Sequence, residues 1–302
     1  MMSMKRYLLL IILFAAAMTG ITQNDPQFSL WEYNRLLFNP AATGQSKYVD
    51  IHLMAQEQWA GFEEAPSTQS FSISNYFGKY RMAGGLTFIN DQLGAERMQN
   101  IKAKYAYHVR LGANQYISFG LGAGVMVKSL SSSELTFEES DDPHATDADY
   151  NETKLDFDFG MELHLSGFFI GAAVNHITQQ YDDYDITRIP RHQYGYVGYR
   201  FDSSPQLSFI PRFSISNIDE INVYEASLTA SYSDKLWLGI GYRLDDSMIL
   251  STKISLTENI LAAYSYDMSA GDLQNYRNGS HEVMLHLRIN KPEKRYQSPR
   301  FF

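Results

Sequence analysis

From residue 206 to residue 257 the chain repeats one pattern: apolar side chains at every second position, with small or polar ones between. In 236–244, Leu236, Leu238, Ile240, Tyr242 and Leu244 fall on one face, and Trp237, Gly239, Gly241 and Arg243 on the other. Successive side chains on a strand point to opposite sides, so each run reads as a strand with one apolar face. Ser233-Asp234, Asp245-Asp246 and Thr257-Glu258-Asn259 supply turns between the runs. The pattern is a β-meander, and the fold depends on what its apolar face touches.

The same alternation predicts strands at 47–57, 67–77, 80–90, 98–110, 115–128, 154–165, 168–177, 192–201, 206–217, 222–232, 235–245, 247–257, 260–268 and 281–290. The number is about fourteen and even. Regular short strands also suit a soluble sandwich or propeller, and two features favour a transmembrane up-and-down antiparallel β-barrel instead. The first is the length of the connections. Those at 78–79, 111–114, 166–167, 202–205, 233–234 and 258–259 are short, whereas 58–66, 91–97, 129–153, 178–191 and 269–280 are mostly long. Outer-membrane barrels alternate short periplasmic turns with longer outer loops. Breaks in this parity near 218–221 and 245–246 are expected as well. An even strand count places both ends of the chain at the short-turn end.

The second feature is the polar face. Asp156, Asp158, Glu162 and His164 oppose Leu155, Phe157, Phe159, Met161 and Leu163, and Lys102, Lys104, His108 and Arg110 oppose Ile101, Ala103, Tyr105 and Tyr107. Arg212 and Arg243 fall on polar faces further on. In a barrel these charges line the lumen, where opposite signs pair and water enters. Gly120, Gly122 and Gly124 on the polar face permit strong curvature or close approach by interior groups.

Composition agrees with this reading. The 302 residues include 21 Tyr and 18 Phe, types that suit strands and membrane interfaces. The absence of Cys excludes a disulfide scaffold, a thiolate metal site, a Cys nucleophile and a lipoprotein anchor. Outside the N-terminus no apolar run is long enough for a spanning helix. At the N-terminus, Lys5 and Arg6 precede the apolar run Tyr7–Met18, which is short for a span and suits a secretory signal cleaved between Met18 and Asn24. The expected organisation is therefore a signal at 1–22, a periplasmic or plug-like segment at 23–46, a barrel at 47–290 and a periplasmic tail at 291–302. That tail carries Lys291, Lys294, Arg295 and Arg300 and ends in Phe301-Phe302. It reads either as a frayed end or as a handle for a periplasmic partner.

No catalytic motif is present: no nucleophile elbow, no phosphate-binding glycine loop and no H-E-x-x-H. A carboxylate pair hidden among the lumen charges Asp156, Asp158 and Glu162 is the remaining route to an enzyme. The net charge of −9 and the lack of a basic stripe disfavour nucleic acid as a partner. Eight of the acids gather in 129–153, where a solvated loop is the plain reading and calcium the sharper one, although no EF-hand spacing occurs. No cofactor is expected. A passive diffusion channel is the serious functional alternative, since fourteen strands enclose a wide lumen. Sequence order leaves open whether residues 24–46 fill it.

Three stretches carry a family resemblance. They are Asp25-Pro26-Gln27-Phe28-Ser29 with Asn39-Pro40-Ala41 and Gly44; Gln58-Trp59-Ala60-Gly61-Phe62 with Ala65-Pro66-Ser67-Thr68-Gln69; and Gly279-Ser280-His281-Glu282-Val283-Met284-Leu285. Together they resemble the PorP/SprF outer-membrane proteins of the type IX secretion and gliding-motility machinery. The resemblance implies a non-enzymatic barrel in contact with outer-membrane lipid, the translocon, and periplasmic ring or lipoprotein components. It also implies help with export or surface attachment of a secreted, adhesin-like cargo. Read as residues, Asn39-Pro40 signals a turn and Gly44 suits a positive φ. Phe28, Asn39, Pro40, Trp59, Phe62 and Pro66 are candidate partner or plug contacts, with Trp59 and Phe62 either at the outer interface or folded inward. His281 and Glu282 are candidates for the barrel seam.

Overall fold

The computed structural model describes residues 26–62, 64–113, 115–132, 149–178, 189–218, 221–269 and 279–290. The signal at 1–22, residues 133–148 of the acidic loop and the tail at 291–302 lie outside the described residues.

Alternating residues become strands wherever the sequence shows the pattern. In chain order they are β1 Val49–Glu57, β2 Ser67–Phe77, β3 Met82–Leu93, β4 Glu96–Arg110, β5 Gln115–Leu130, β6 Tyr150–Leu165 and β7 Phe168–Asn175. β8 comes in two pieces, His192–Tyr199 and Phe201–Asp202. Then follow β9 Leu207–Ile218, β10 Ile221–Tyr232, β11 Leu236–Arg243, β12 Ser247–Ser255, β13 Ile260–Ser269 and β14 Ser280–Ile289. The pieces of β8 keep one register against β9, with Gly198 opposite Arg212 and Phe201 opposite Phe209. Between them the Arg200 N–H donates to Gly167 O, at 2.9 Å. They form one strand, which makes fourteen.

Every strand pairs antiparallel with its neighbours in sequence, and β14 returns to β1 from Val49 opposite Ile289 through Glu57 opposite His281. His281 and Glu282 thus stand in the closing ladder, Glu282 opposite Gln56. Closure leaves no open edge, the condition for a sheet to sit in lipid. The turns at 166–167 and 233–234 have positive φ at both residues, as tight hairpins that follow the strand twist require.

Burial shows which face is inside. On β6, Leu155 is 67% exposed while its neighbour Asp156 is 2% exposed. The same split runs round the barrel. Leu53, Leu121, Phe213, Leu238, Leu250 and Val283 point outward, and Ser72, Lys104, Ser118, Thr229 and Ser265 are buried inside. A soluble protein would bury the first set, so the outer wall is built for hydrocarbon. Exposed Phe77, Tyr80, Tyr199, Phe201 and Tyr232 cluster at the short-turn end, the position of an interfacial aromatic girdle.

Two expectations are corrected. The connection expected to be long at 91–97 is a turn at 94–95, because β3 and β4 extend to Leu93 and Glu96. The other correction concerns the ends of the chain. β1 starts and β14 finishes at the short-turn end, yet residue 26 does not lie there. Gln27 O accepts from Gln56 Nε2, at the long-loop end of β1, whereas the Ser46 hydroxyl bonds Asp50, at its other end. Residues 26–46 therefore run the length of the lumen. They form three short 3₁₀ turns, Trp31–Tyr33, Arg35–Leu37 and Pro40–Ala42. We call this segment the strap.

Candidate functional site

A fourteen-stranded barrel is too wide for its own side chains to meet at the axis. The strap occupies that space. Leu30, Asn39, Ala41 and Thr43 are fully buried, and Phe28, Trp31 and Leu37 form an apolar cluster with Met54, Tyr196, Ala263 and Met284 of the wall.

Its polar groups are met by lumen side chains from strands all round the barrel. Near the long-loop end, the backbone N–H groups of Ser29 and Leu30 donate to Glu282 Oε2, and the Ser29 hydroxyl bonds Asp267. Trp31 Nε1 donates to Glu225 Oε1, at 2.7 Å. Arg243 spans Glu225 and Asp267, at 2.9 and 3.3 Å. Glu32 pairs with Arg212, and Lys253 Nζ stacks 3.8 Å over the Tyr33 ring.

In the middle, Lys104 Nζ donates to the carbonyls of Leu36 and Leu37, at 2.7 and 2.8 Å. Arg35 pairs with Glu162 at 3.0 Å, and the Tyr196 hydroxyl donates to the same carboxylate at 2.6 Å. His108 Nε2 donates to Thr43 O toward the short-turn end. Burying a charge is costly unless it is paired and hydrogen-bonded, and these charges have partners.

Asn39-Pro40-Ala41 is the tightest fit. Asn39 Oδ1 caps the Pro40–Ala42 turn by accepting from Ala41 N, and Asn39 Nδ2 donates to the Tyr196 hydroxyl. Gly120 and Gly160 lie opposite each other on β5 and β6. A Cβ on Gly120 would overlap the Pro40–Ala41 backbone, and one on Gly160 would overlap the Asn39 side chain. The paired glycines form a recess that this turn fills. Gly44, at φ +68°, then redirects the chain toward β1.

Of the residues singled out from sequence, Lys102, Lys104, Asp156, Asp158, Glu162, Arg212 and Arg243 are buried in the lumen, and Phe28, Asn39 and Pro40 lie in the strap. Arg110 is not a lumen charge. It ends β4 at the rim, exposed, where its Nε donates to Gly112 O. Trp59, Phe62 and Pro66 lie on the β1–β2 connection, Pro66 buried and Trp59 half-buried. Phe62 is exposed, Trp59 N donates to the Ser280 hydroxyl, and Pro66 O accepts from Gln58 N.

Lys102 Nζ lies 2.7 Å from both Asp156 and Asp158, and His176 Nδ1 lies 2.8 Å from Asp156. With Glu162 held by Arg35, these carboxylates act as partners for cations. Trp31, Glu32, Arg35, Tyr196, Glu225 and Asp267 were not singled out from sequence. The polar-face positions of Glu225 and Asp267 are legible in the strand pattern, but Trp31, Glu32 and Arg35 sit in the aperiodic strap, and the strap–wall pairs span more than 120 residues of chain.

Barrels of the same form occur among solved structures. The Ralstonia pickettii toluene transporter TbuX is 9% identical with a TM-score of 0.51, over 84% of this chain and 93% of that one. A mutant of the TodX monoaromatic hydrocarbon channel is 9% identical with a TM-score of 0.52, over 85% and 94%. At such identity the likeness is one of fold. No curated protein sequence matches the chain. The family model for type IX secretion system membrane proteins PorP/SprF matches residues 21–287, nearly all of the barrel and the whole strap, and the chain belongs to that family of outer-membrane proteins.

Proposed function

We propose that this barrel is a non-enzymatic outer-membrane component of the type IX machinery that assists export or surface anchoring of a secreted, adhesin-like cargo. On this reading it docks to the translocon and to periplasmic ring or lipoprotein components. The observation that carries it is the filled lumen: the strap is anchored by buried charges from one mouth to the other, which leaves the rims and the outer wall for partners. Deleting the gene should abolish surface display of a secreted protein while passive solute uptake stays unchanged. Normal display in the deletion strain would count against the proposal.

A passive channel is the second reading, favoured by the polar wall. It requires the strap to leave its anchors. Planar-bilayer recordings decide, since absence of unitary conductance from the intact protein removes it. A lumen enzyme fits less well, because Asp156, Asp158 and Glu162 are each held by a cation. Unchanged membrane lipids after replacing all three would dispose of it.

A further inference from the structure

Serine, threonine and charged side chains line much of the lumen wall, but apolar ones turn inward as well. Ile89 of β3, Ile218 of β9 and Val223 of β10 turn apolar side chains inward. Facing them, the strap presents Phe28, Trp31 and Phe38. Between strap and wall lies a cavity of about 90 Å³, part-open, and lined also by Tyr194. Phe38 packs 5.1 Å from the Tyr194 ring and 5.9 Å from Trp31, so aromatic faces and edges make much of the surface. Tyr194, Ile218 and Val223 each lie within a few residues of the long-loop ends of their strands. The cavity therefore lies at that end of the barrel.

Its two charged lining residues are already engaged. Glu225 accepts from Trp31 Nε1 and from Arg243, and Arg243 also reaches Asp267 and Asp246. The aromatic walls reward a flat apolar guest, and the engaged pair gives little to a charged one. An engineered apolar cavity of about 150 Å³ stays dry and takes up benzene or xenon. This cavity is smaller, but its open side lets a ring protrude.

We propose that the cavity is a binding site for a small uncharged apolar molecule, of the size of a single ring, entering from the long-loop mouth. The site is independent of any role in cargo export. Trp31 in its wall provides the readout, and the only other tryptophans are Trp59 and Trp237. Full-length protein carrying Trp59→Phe and Trp237→Phe, held in lipid nanodiscs, is titrated with iodobenzene, a ring-sized heavy-atom quencher. Saturable quenching of Trp31 is expected. Ser216→Phe or Val223→Phe, which fills the cavity, should weaken the apparent affinity at least tenfold while the barrel keeps its heat-dependent gel mobility. Quenching of the parent that is linear in concentration, as partition into lipid gives, would overturn the proposal. So would equal saturable quenching in a folded, filled variant. The parent titration decides alone if neither filled variant folds.

Discussion

Gly120 and Gly160 face Asn39-Pro40-Ala41 with no room for a methyl group. Gly160→Ala must push the strap off the wall or bend β6. Overpacking of this kind costs about 1–3 kcal/mol, and denaturant unfolding of the barrel in lipid vesicles measures it. Asn39→Ala loses a turn cap and leaves the Tyr196 hydroxyl one partner short, so a loss of about 1–2 kcal/mol is expected in the same assay. The Arg35–Glu162 pair separates charge from packing. Arg35→Met takes the guanidinium from a fully buried carboxylate that keeps its Tyr196 and His164 contacts, and should cost about 3–5 kcal/mol, whereas adding Glu162→Gln should recover part of that loss. A double variant no more stable than Arg35→Met would show that the pair contributes little beyond its side-chain volume.

At the level of elements, strands and strap differ in how far the sequence reveals them. A strand in lipid must alternate, because one face meets hydrocarbon and the other the lumen, so β2 and β6 are readable residue by residue. The strap carries no period. Its 3₁₀ turns are three residues each, and its placement is set by partners such as Glu282, 253 residues from Ser29. Only indirect marks pointed to it: glycines on an inward face, and a turn dipeptide ahead of the first strand. Arg110 shows the opposite failure, since alternation alone does not tell a lumen residue from one at the rim where the strand stops. The strap also sets the expectation for permeability. Intact protein in planar bilayers should show no steady unitary conductance, and a form lacking residues 26–44 should show a large one. A silent deletion form that keeps the heat-dependent gel mobility of a folded barrel would mean that wall side chains alone close the lumen.

For the whole molecule the remaining question is which mouth faces out. The connections 131–149, 176–191 and 270–279 all leave from one end, and outer-membrane barrels keep their long loops outside. The strap enters the lumen at that same end, beside Gln56 and Glu282, and leaves at the other to begin β1. The orientation thus sets which end of the strap meets the exterior and which the periplasm. The chain has no cysteine, so single-cysteine forms report orientation without background. Phe62→Cys, at an exposed site on the β1–β2 connection, should react with a membrane-impermeant maleimide on intact cells. Ser204→Cys, in the exposed turn between β8 and β9, should react only after the outer membrane is permeabilised. The reverse labelling order would turn the barrel over and present the Ser29–Glu282 end of the strap to the periplasm, leaving the long loops unable to reach the cell surface.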